Sequence, residues 1–317
     1  MSNVVEFKSG SRDVRAEMSN LMSREPGLSQ ATIAKEAGFS SSAFNQWLKG
    51  VYAGDNEGVE AKLSNWIDAH NARLAQAKAL PAAPHWIETP SAQRVLAALS
   101  YAQFAEDIVV IYGGAGLGKT KSCEQYLTAN PNVWIATMSP ATATTVPCLE
   151  EVADAVGLRD LSTGAARIQR AIVRRMAGTH GLLIIDEAQH LGVPALDAIR
   201  ALHDATGVGL ALVGNESVYA RMTGGNRAAY LDRLYSRIGK RLHLRRASVE
   251  DVDALIGAWK LRDKQCMESC REIAAKPGGL RVLTKTLRLA SMFAAGAARA
   301  LCCEDIRAAW RDLGGES

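Results

Sequence analysis

The sequence has no uninterrupted apolar run approaching the ~18 residues that a membrane-spanning helix needs, so no such helix is expected. Its first residues, MSNVVE, contain no basic region followed by an apolar core, which argues against a secretory signal. These absences predict a cytoplasmic protein that has no membrane partner.

Cysteine is scarce as well, with six residues in a chain of 317. A chain of this length without a secretory signal is not expected to carry a disulfide framework. Cys266 and Cys270 lie one helical turn apart, and Cys302 and Cys303 are adjacent, which differs from the CxxC pairs typical of zinc sites. Buried thiols on helices are therefore expected in place of a metal centre.

Positive charge is present in modest excess and is unevenly distributed. The net charge is +4 and the isoelectric point is about 8.7, which suits a polyanionic partner without requiring one. Residues 167–175 contain four Arg and no acid, and residues 221–246 are rich in Arg and Lys with Asp232 as their single acid. These two stretches are candidates for contact with an anionic polymer.

Residues 113–120 read GGAGLGKT and fit the phosphate-loop pattern GxxxxGK[ST], directly after the apolar run 108–111. In such a strand–loop–helix unit, backbone amides surround the phosphates, Lys119 reaches the β- and γ-phosphates, and the Thr120 hydroxyl binds Mg²⁺. A lone glycine-rich loop can also be a tight turn. The residues predicted to bind ATP are Gly113, Gly114, Ala115, Gly116, Leu117, Gly118, Lys119, Thr120 and Lys121.

A second motif, LLIIDE at residues 182–187, favours the phosphate loop over the tight turn. A buried strand that ends in two carboxylates would place Asp186 at the Mg²⁺ ion and Glu187 where it can orient or deprotonate the attacking water. The two motifs together predict an enzyme that hydrolyses ATP, with ATP and Mg²⁺ as its cofactors.

Strands and helical stretches alternate through the middle of the chain. Apolar strands are predicted at 108–112, 132–137, 182–186, 209–213 and 241–244. This alternation predicts an α/β fold with a parallel sheet covered by helices on both faces. The predicted domains are a helix-turn-helix domain at 1–70, a Pro-bearing linker at 71–92, an ATPase domain at 93–246 and a helical lid domain at 247–317.

Residues 30–49 have the pattern of a helix-turn-helix. Gly38 stands where the turn needs a positive φ, and Ser40 can cap the second helix. The outward positions Ser41, Ser42, Asn45 and Gln46 carry hydrogen-bonding groups suited to base edges and phosphates. The pattern predicts a DNA-binding domain, although a three-helix bundle that binds no DNA shares its apolar positions.

Three further polar positions are candidates for the catalytic site. Asn215 follows the strand 209–213 and is predicted to sense the γ-phosphate or the attacking water, the alternative being a turn-forming Asn. Arg237, or Arg233 in its place, is predicted to reach the γ-phosphate of a neighbouring subunit as a finger in trans. Arg281, after Gly278 and Gly279, is predicted to fold over the nucleotide from the lid; all three Arg can equally be solvated charges.

The phosphate loop, the Asp-Glu strand, the Asn at a strand tip, the Ser-Arg stretch and the GGLR segment together resemble the AAA+ ATPases, in their initiator-like branch. With the N-terminal helices included, nearly the whole chain resembles the Mu-type phage transposition B proteins, which are target-DNA activators. The stretches that carry this closer likeness are residues 52–57, 132–134, 181–192, 222–227 and 276–281.

The resemblance implies an ATP-dependent protein that binds double-stranded DNA with little sequence preference. It implies self-assembly into a helical filament or ring-like oligomer, delivery of target DNA to a DDE-type transposase, and stimulation of strand transfer. Hydrolysis, stimulated by DNA and by transposase, would clear the protein from DNA near transposon ends. If the chain is phage- or prophage-encoded, these events would take place in the host cytoplasm.

One stretch departs from the family, because residues 162–166, STGAA, are less basic than the family's segment ahead of the Asp-Glu strand. The candidate DNA contacts are Arg167, Arg170, Arg174 and Arg175, whose spacing places three of them on one helix face. A solvated helix face is the alternative. Two other functions fit the same motifs, namely an AAA+ helicase loader and a helix-turn-helix repressor whose oligomeric state is set by ATP.

Overall fold

A computed structural model of the chain describes residues 12–25, 27–79, 84, 86–159, 164–223 and 236–315. The chain divides into two compact units, Met1–Leu80 and Pro81–Ser317. Within the described residues no helix combines the length and the apolar character that crossing a bilayer would require.

The described part of the first unit is helical. Its helices are α1 (Val14–Arg24), α2 (Gln30–Ala37), α3 (Ser41–Leu48) and α4 (Asn56–Ala79). Ser29 caps α2 and Ser40 caps α3 through their side chains, and Gly38 ends α2 with a φ of +79°. Between the helices lies a small apolar core that includes Phe44 and Trp47, both fully buried.

Helix α4 is longer than the sequence analysis suggested. It continues to Ala79, into the segment 71–92 that was expected to be a linker. Alanine and long polar side chains favour helix strongly, so the Ala-rich stretch after residue 70 extends the helix until the first prolines follow.

The second unit is built on a five-stranded parallel sheet with the strand order β2-β3-β4-β1-β5. Its strands are β1 (Ile108–Gly113), β2 (Val133–Thr137), β3 (Leu182–Asp186), β4 (Gly209–Gly214) and β5 (Ile238–Leu244). The inner strands are apolar along their whole length because helices cover both of their faces. The predicted α/β fold is confirmed; only β5 begins earlier than expected, at Ile238 in place of residue 241.

Helices lie on both faces of this sheet. One face is packed by α5 (Pro90–Phe104) and α6 (Lys119–Ala129), and the other by α7 (Thr145–Ala155), α8 (Ala165–Met176) and α9 (Val193–Thr206). Helix α10 (Glu216–Thr223) follows β4 directly. Alternate side chains of β1 divide between the two cores, with Val109 and Ile111 on one face and Ile108 and Val110 on the other.

The C-terminal helices are α11 (Val249–Ala258), α12 (Lys264–Ala275), α13 (Gly279–Gly296) and α14 (Cys303–Asp312). These four, called the lid helices below, have a core of their own that contains Cys266 and Cys270. Cys302 and Cys303 are half-buried. Burial raises the pKa of the Cys270 thiol to about 12, which keeps it protonated and unreactive.

A buried carboxylate connects the lid helices to the start of α5. Asp251, fully buried on α11, accepts hydrogen bonds from the Ser91 backbone N–H at 2.7 Å and from the Ser91 hydroxyl at 2.6 Å. It also accepts the Ser248 backbone N–H at 2.9 Å. Burial raises the pKa of this carboxyl, but the hydrogen bonds from Ser91 and Ser248 outweigh it and hold the pKa below its usual value.

Candidate nucleotide-binding site

A cavity of about 920 Å³ lies at the carboxyl edge of the sheet, between the strand ends and the lid helices. Parallel α/β sheets bind their ligands at this edge, where the loops after neighbouring strands meet. Most of the predicted nucleotide and catalytic residues line it, namely Gly113, Ala115, Gly116, Leu117, Gly118, Lys119, Thr120, Lys121, Asp186, Glu187, Asn215 and Arg281. Gly114 and Arg237 are not among the residues that line this cavity.

The loop between β1 and α6 has the backbone shape that a phosphate loop needs. Gly113 has a φ of +139°, and a Cβ there would lie 1.9 Å from the carbonyl oxygen of Leu244, so only glycine fits. Gly118 begins α6 with a φ of +85°, and within the described chain no side chain caps this helix. The first N–H groups of α6 are thus available to an anion at the positive end of the helix dipole.

Lys119 is held by its own loop. Its Nζ donates hydrogen bonds to the carbonyl oxygens of Gly113 at 2.9 Å and Gly114 at 2.7 Å. Burial lowers the pKa of Lys119, with Asp186 and Glu187 opposing that shift. An incoming phosphate would offer the ammonium group a full negative charge in place of two carbonyl dipoles, so the lysine can turn to it.

Thr120 and Asp186 form the polar floor of the cavity. The Thr120 hydroxyl donates to Oδ2 of Asp186 at 2.8 Å, and Asp186 is only 2% exposed. Burial raises the pKa of Asp186, and the hydrogen bonds from Thr120 and from the Glu187 backbone N–H reduce the shift. A hydroxyl and a carboxylate are the hard oxygen ligands that Mg²⁺ prefers, so this pair fits the predicted ion.

Glu187 has an unusual backbone. Its φ is +54°, in the left-handed region that a residue with a side chain occupies only when its surroundings hold it there. Its N–H donates to Oδ1 of Asp186 at 2.9 Å, and its carboxylate accepts a hydrogen bond from Nε2 of Gln189. Glu187 lines the cavity from this turn after β3.

Asn215 serves as the cap of α10. Its Oδ1 accepts hydrogen bonds from the Ser217 backbone N–H at 2.9 Å and from the Ser217 hydroxyl at 2.6 Å. Its own backbone N–H donates to Oε1 of Gln189 at 3.2 Å. With Oδ1 held in this way, the amide nitrogen of Asn215 is the group that remains to interact with a ligand.

The lid helices contribute the opposite wall. The backbone N–H of Arg281 donates to the Gly116 carbonyl at 3.2 Å, so the start of α13 rests on the phosphate loop. Thr284, Lys285 and Arg288 line the cavity from the same face of α13 as Arg281. The sequence analysis missed these three, although their spacing of three, four and seven residues from Arg281 is the signal of a shared helix face.

Part of the cavity lining is apolar and aromatic. Trp86 and Ile87, which lie before α5, line it together with Leu255 and Leu280 of the lid helices. Cavities that hold nucleotides combine such apolar surfaces with a few polar groups. The sequence does not identify Trp86 and Ile87 as lining residues, because they lie in the segment 71–92, whose prolines predict a linker.

Arg237 lies at the opposite edge of the sheet. It directly precedes β5, whose seven residues extend for roughly 20 Å before they reach the phosphate loop. Its Nε forms a salt bridge of 3.0 Å with Oδ1 of Asp204, which also pairs with Arg200. Within one chain Arg237 does not reach the cavity, and Arg233 lies outside the described residues.

The predicted DNA-contacting side chains are on the surface. Arg167, Arg170, Arg174 and Arg175 are exposed on α8, whose apolar face buries Ile168, Ile172 and Met176. The Arg175 guanidinium lies over the Trp134 ring, 5.8 Å from its centroid. In the first unit, Ser41, Ser42 and Gln46 are exposed on α3 and Asn45 is half-buried.

Two family models match the chain. One, described as the AAA domain, matches residues 102–222. The other, described as Mu B transposition protein, C terminal, matches residues 236–313. The matched residues cover the sheet and the lid helices that together form the cavity.

Similar proteins extend the match over nearly the whole chain. The ATP-dependent target DNA activator B of Escherichia phage Mu is 38% identical over 301 residues, which are 95% of each chain. The protein of the same name from Escherichia phage D108 has the same identity and coverage. A Mu-like prophage DNA transposition protein B of Haemophilus influenzae is 36% identical over 82% of this chain and 90% of its own.

Solved structures of low identity share the fold. A structure of Drosophila ORC bound to DNA superposes with a TM-score of 0.52 at 14% identity, over 77% of this chain and 66% of that one. Domain III of the Thermotoga maritima replication initiation protein DnaA gives a TM-score of 0.50 at 15% identity, over 72% of this chain and 94% of that one. Both likenesses support the AAA+ fold alone.

Proposed function

The chain belongs to the family of the Mu B transposition proteins, and on that premise we propose that it is a DNA-stimulated ATPase that prepares target DNA for transposition. In this proposal the ATP-bound protein coats double-stranded DNA with little regard to sequence, delivers it to a DDE-type transposase and stimulates strand transfer. ATP hydrolysis then releases the protein from the DNA.

The observation that carries the proposal is the cavity at the carboxyl edge of the sheet. It brings together a loop shaped for phosphates, a hydroxyl–carboxylate pair suited to Mg²⁺, and a second carboxylate beside them. A protein that only binds DNA needs none of these groups. The relative from phage Mu is named an ATP-dependent target DNA activator, a name that combines dependence on ATP with action on DNA.

In this proposal six side chains of the cavity have a defined part in hydrolysis, namely those of Lys119, Thr120, Asp186, Glu187, Asn215 and Arg281. Lys119 binds the β- and γ-phosphates, and Thr120 with Asp186 holds the Mg²⁺ ion, which neutralises charge on the phosphates. Glu187 orients the attacking water and accepts its proton. The amide of Asn215 contacts the γ-phosphate or that water, and Arg281 contacts the phosphates from the lid.

A neighbouring subunit completes the site. Arg237 stands far from its own phosphate loop and is exposed, so in this proposal it serves the cavity of another copy. Its salt bridge with Asp204 is a surface pair of the kind worth about 0–1 kcal/mol. The γ-phosphate of a neighbour can therefore compete for it, and a finger in trans can raise the rate by roughly 10³–10⁵. This arrangement makes hydrolysis depend on a helical or ring-like assembly.

DNA is held mainly by the second unit in this proposal. Arg167, Arg170 and Arg174 form a basic, exposed face on α8 without an acidic residue between them. The described helices of the first unit, residues 12–79, contain equal numbers of acidic and basic side chains. Because non-specific DNA binding depends on positive charge, the first unit adds contacts through α3 but supplies less of the affinity.

The test is release of phosphate from ATP by the purified protein, with random-sequence duplex DNA and with cognate transposase. We expect phosphate release that increases with any duplex, and strand transfer by the transposase that increases only when both ATP and the protein are present. Absence of ATP turnover would contradict the enzymatic part. Turnover that responds to a replicative helicase would favour the loader, and binding confined to a palindromic site would favour the repressor.

A further inference from the structure

A chain of hydrogen bonds crosses the carboxyl edge of the sheet. The Thr120 hydroxyl donates to Asp186 at 2.8 Å, and the Glu187 backbone N–H donates to the same carboxylate at 2.9 Å. The backbone N–H of Asn215 donates to Oε1 of Gln189 at 3.2 Å. The remaining link is made by Nε2 of Gln189, which donates to Oε2 of Glu187.

Gln189 is the one residue in this series of hydrogen bonds to which the proposed function gives no part. Its side chain is only 9% exposed, and a buried amide lowers stability unless its polar atoms find partners. Those partners also fix its orientation, because a carboxylate can only accept and a backbone N–H can only donate. The NH₂ group must therefore face Glu187, and the oxygen must face Asn215.

The backbone of β4 lets this amide approach closely because Gly214 has no side chain. A Cβ on Gly214, the last residue of β4, would lie 2.3 Å from Oε1 of Gln189. The backbone of Glu187 is held at a φ of +54°, so its side chain leaves the turn in a restricted direction. Within that restriction, the hydrogen bond from Gln189 fixes the position of the Glu187 carboxylate.

We propose that Gln189 is a positioning residue for ATP hydrolysis, which couples the Glu187 carboxylate to the tip of β4 so that Glu187 and Asn215 are placed together. The inference rests on the proposed ATPase function. Asn215 responds to the terminal phosphate or the attacking water, and Gln189 transmits its position to Glu187. The water-activating carboxylate is thereby placed correctly only when the tip of β4 is in place.

This role separates turnover from nucleotide binding. The phosphates are bound by Lys119 and the loop amides, none of which contacts Gln189. A carboxylate displaced by about 1 Å can lose roughly 10²-fold in rate while substrate affinity stays the same. Loss of Gln189 should therefore lower kcat and leave KM nearly unchanged, which a general loss of folded structure would not do.

Two substitutions of similar size distinguish hydrogen bonding from packing. Gln189→Met keeps the length of the side chain and removes both hydrogen bonds. Gln189→Glu keeps the shape and an acceptor but replaces the donor with a second carboxylate that repels Glu187. We expect each to lower DNA-stimulated kcat by roughly 10- to 100-fold, with KM for ATP within roughly twofold of wild type.

The matched control is Gln103→Met. Gln103 is equally buried, at 9%, and bonds through its amide to the Pro131 carbonyl at 3.1 Å and to the Tyr126 hydroxyl at 2.8 Å. It lies outside the cavity, so its loss should leave kcat per folded molecule close to wild type. Thermal unfolding of all variants, with and without ATP, shows which fraction is folded in each assay.

Wild-type kcat in both Gln189→Met and Gln189→Glu would overturn the inference and leave the proposed function intact. An equal fall in kcat for Gln103→Met would also overturn it, because the effect would then follow from loss of any buried amide. If one Gln189 variant does not fold, the other decides. If the wild-type protein itself does not hydrolyse ATP, the proposed function fails and this inference fails with it.

Discussion

The Thr120 hydroxyl on α6 donates a hydrogen bond of 2.8 Å to the buried carboxylate of Asp186 at the end of β3. This contact joins the helix that follows the phosphate loop to the strand that carries the Asp-Glu pair, although the two residues are far apart in sequence. It places the proposed Mg²⁺ ligands and the proposed water-activating Glu187 within one hydrogen-bonded group. Binding and turnover of ATP can then be tested separately.

Substitutions of Lys119 and of Glu187 should have opposite effects on DNA binding. Lys119→Ala removes the ammonium group that binds the β- and γ-phosphates, so ATP binding and ATP-dependent DNA binding should be lost together. Glu187→Gln keeps the fold of the turn and removes the base, so this variant should bind ATP and remain on DNA while kcat falls by roughly 10²–10⁴.

The measurements are nucleotide binding, phosphate release and DNA retention after dilution. Lys264→Ala, which removes an exposed lysine on α12, is the control for loss of one positive charge. If Glu187→Gln hydrolyses ATP like wild type, Glu187 is not the residue that activates water.

Arg237→Ala should lower DNA-stimulated hydrolysis and leave the nucleotide affinity of the monomer near wild type. The reason is that Arg237 lies at the far edge of its own sheet and would act on a neighbour. Mixing this variant with Lys119→Ala should restore part of the activity, because each protein supplies the group that the other lacks. A mixing series with no recovery at any ratio would argue against a site shared between subunits.

Charge reversal on α8 should harm DNA binding more than removal of the first unit. Arg170→Glu with Arg174→Glu should lower affinity and reduce the slope of log affinity against log salt, by roughly one unit for each phosphate that the variant no longer neutralises. Deletion of the first unit, residues 1–80, should weaken binding but preserve ATP-dependent assembly.

The control is Arg307→Glu with Arg311→Glu, an exposed pair of Arg with the same four-residue spacing on α14. Filter binding over a salt series with ATP measures all four proteins. If the deletion alone abolishes binding while the α8 variant keeps the wild-type slope, the first unit is the main DNA-binding surface and the repressor hypothesis gains support.

Asp251 should make stability depend on pH. Its folded-state pKa is below the usual value, so the ionised carboxylate stabilises the fold above the unfolded pKa near 4, and this contribution is lost as pH falls through that value and below it. Asp251→Asn should cost about 1–3 kcal/mol at neutral pH, because an amide cannot accept all the hydrogen bonds from Ser91 and Ser248.

Denaturant unfolding at pH 7 and at about pH 2.5, well below the unfolded pKa near 4, measures this effect. The wild type should lose more stability than Asp251→Asn between the two values. An identical loss in both proteins would show that Asp251 does not contribute to the pH dependence.

Strands β1 to β4 were predictable because each is a short, mostly apolar run, a pattern that burial of a strand under helices requires. The start of β5 was not, because this edge strand carries Lys240, Arg241 and His243. The phosphate loop and the Asp-Glu pair were predictable for a different reason, since their chemistry restricts both residue type and spacing. The extent of α4 was not predictable in the same way. The prolines from Pro81 onward predict a linker, whereas the alanines just before them favour helix.

The rest of the cavity depends on contacts between distant segments. Nothing next to Trp86 in sequence indicates that the lid helices pack beside it. Gln189 is two residues from Glu187, yet its link to Asn215 exists only because β3 and β4 are neighbours in the sheet. The pairing of Arg237 with Asp204 likewise depends on how α9 meets the start of β5. Sequence patterns identify the motifs, and tertiary packing determines which other side chains join them.

The most direct test of the central claim is electron microscopy of the full-length protein on random-sequence duplex DNA, with ATP, without nucleotide, and with Lys119→Ala in place of wild type. The account predicts continuous protein-coated DNA with wild-type protein and ATP, and bare DNA in the other two samples. Coated DNA in the absence of nucleotide, or equal coating by Lys119→Ala, would contradict the claim that ATP bound in the cavity controls assembly on DNA.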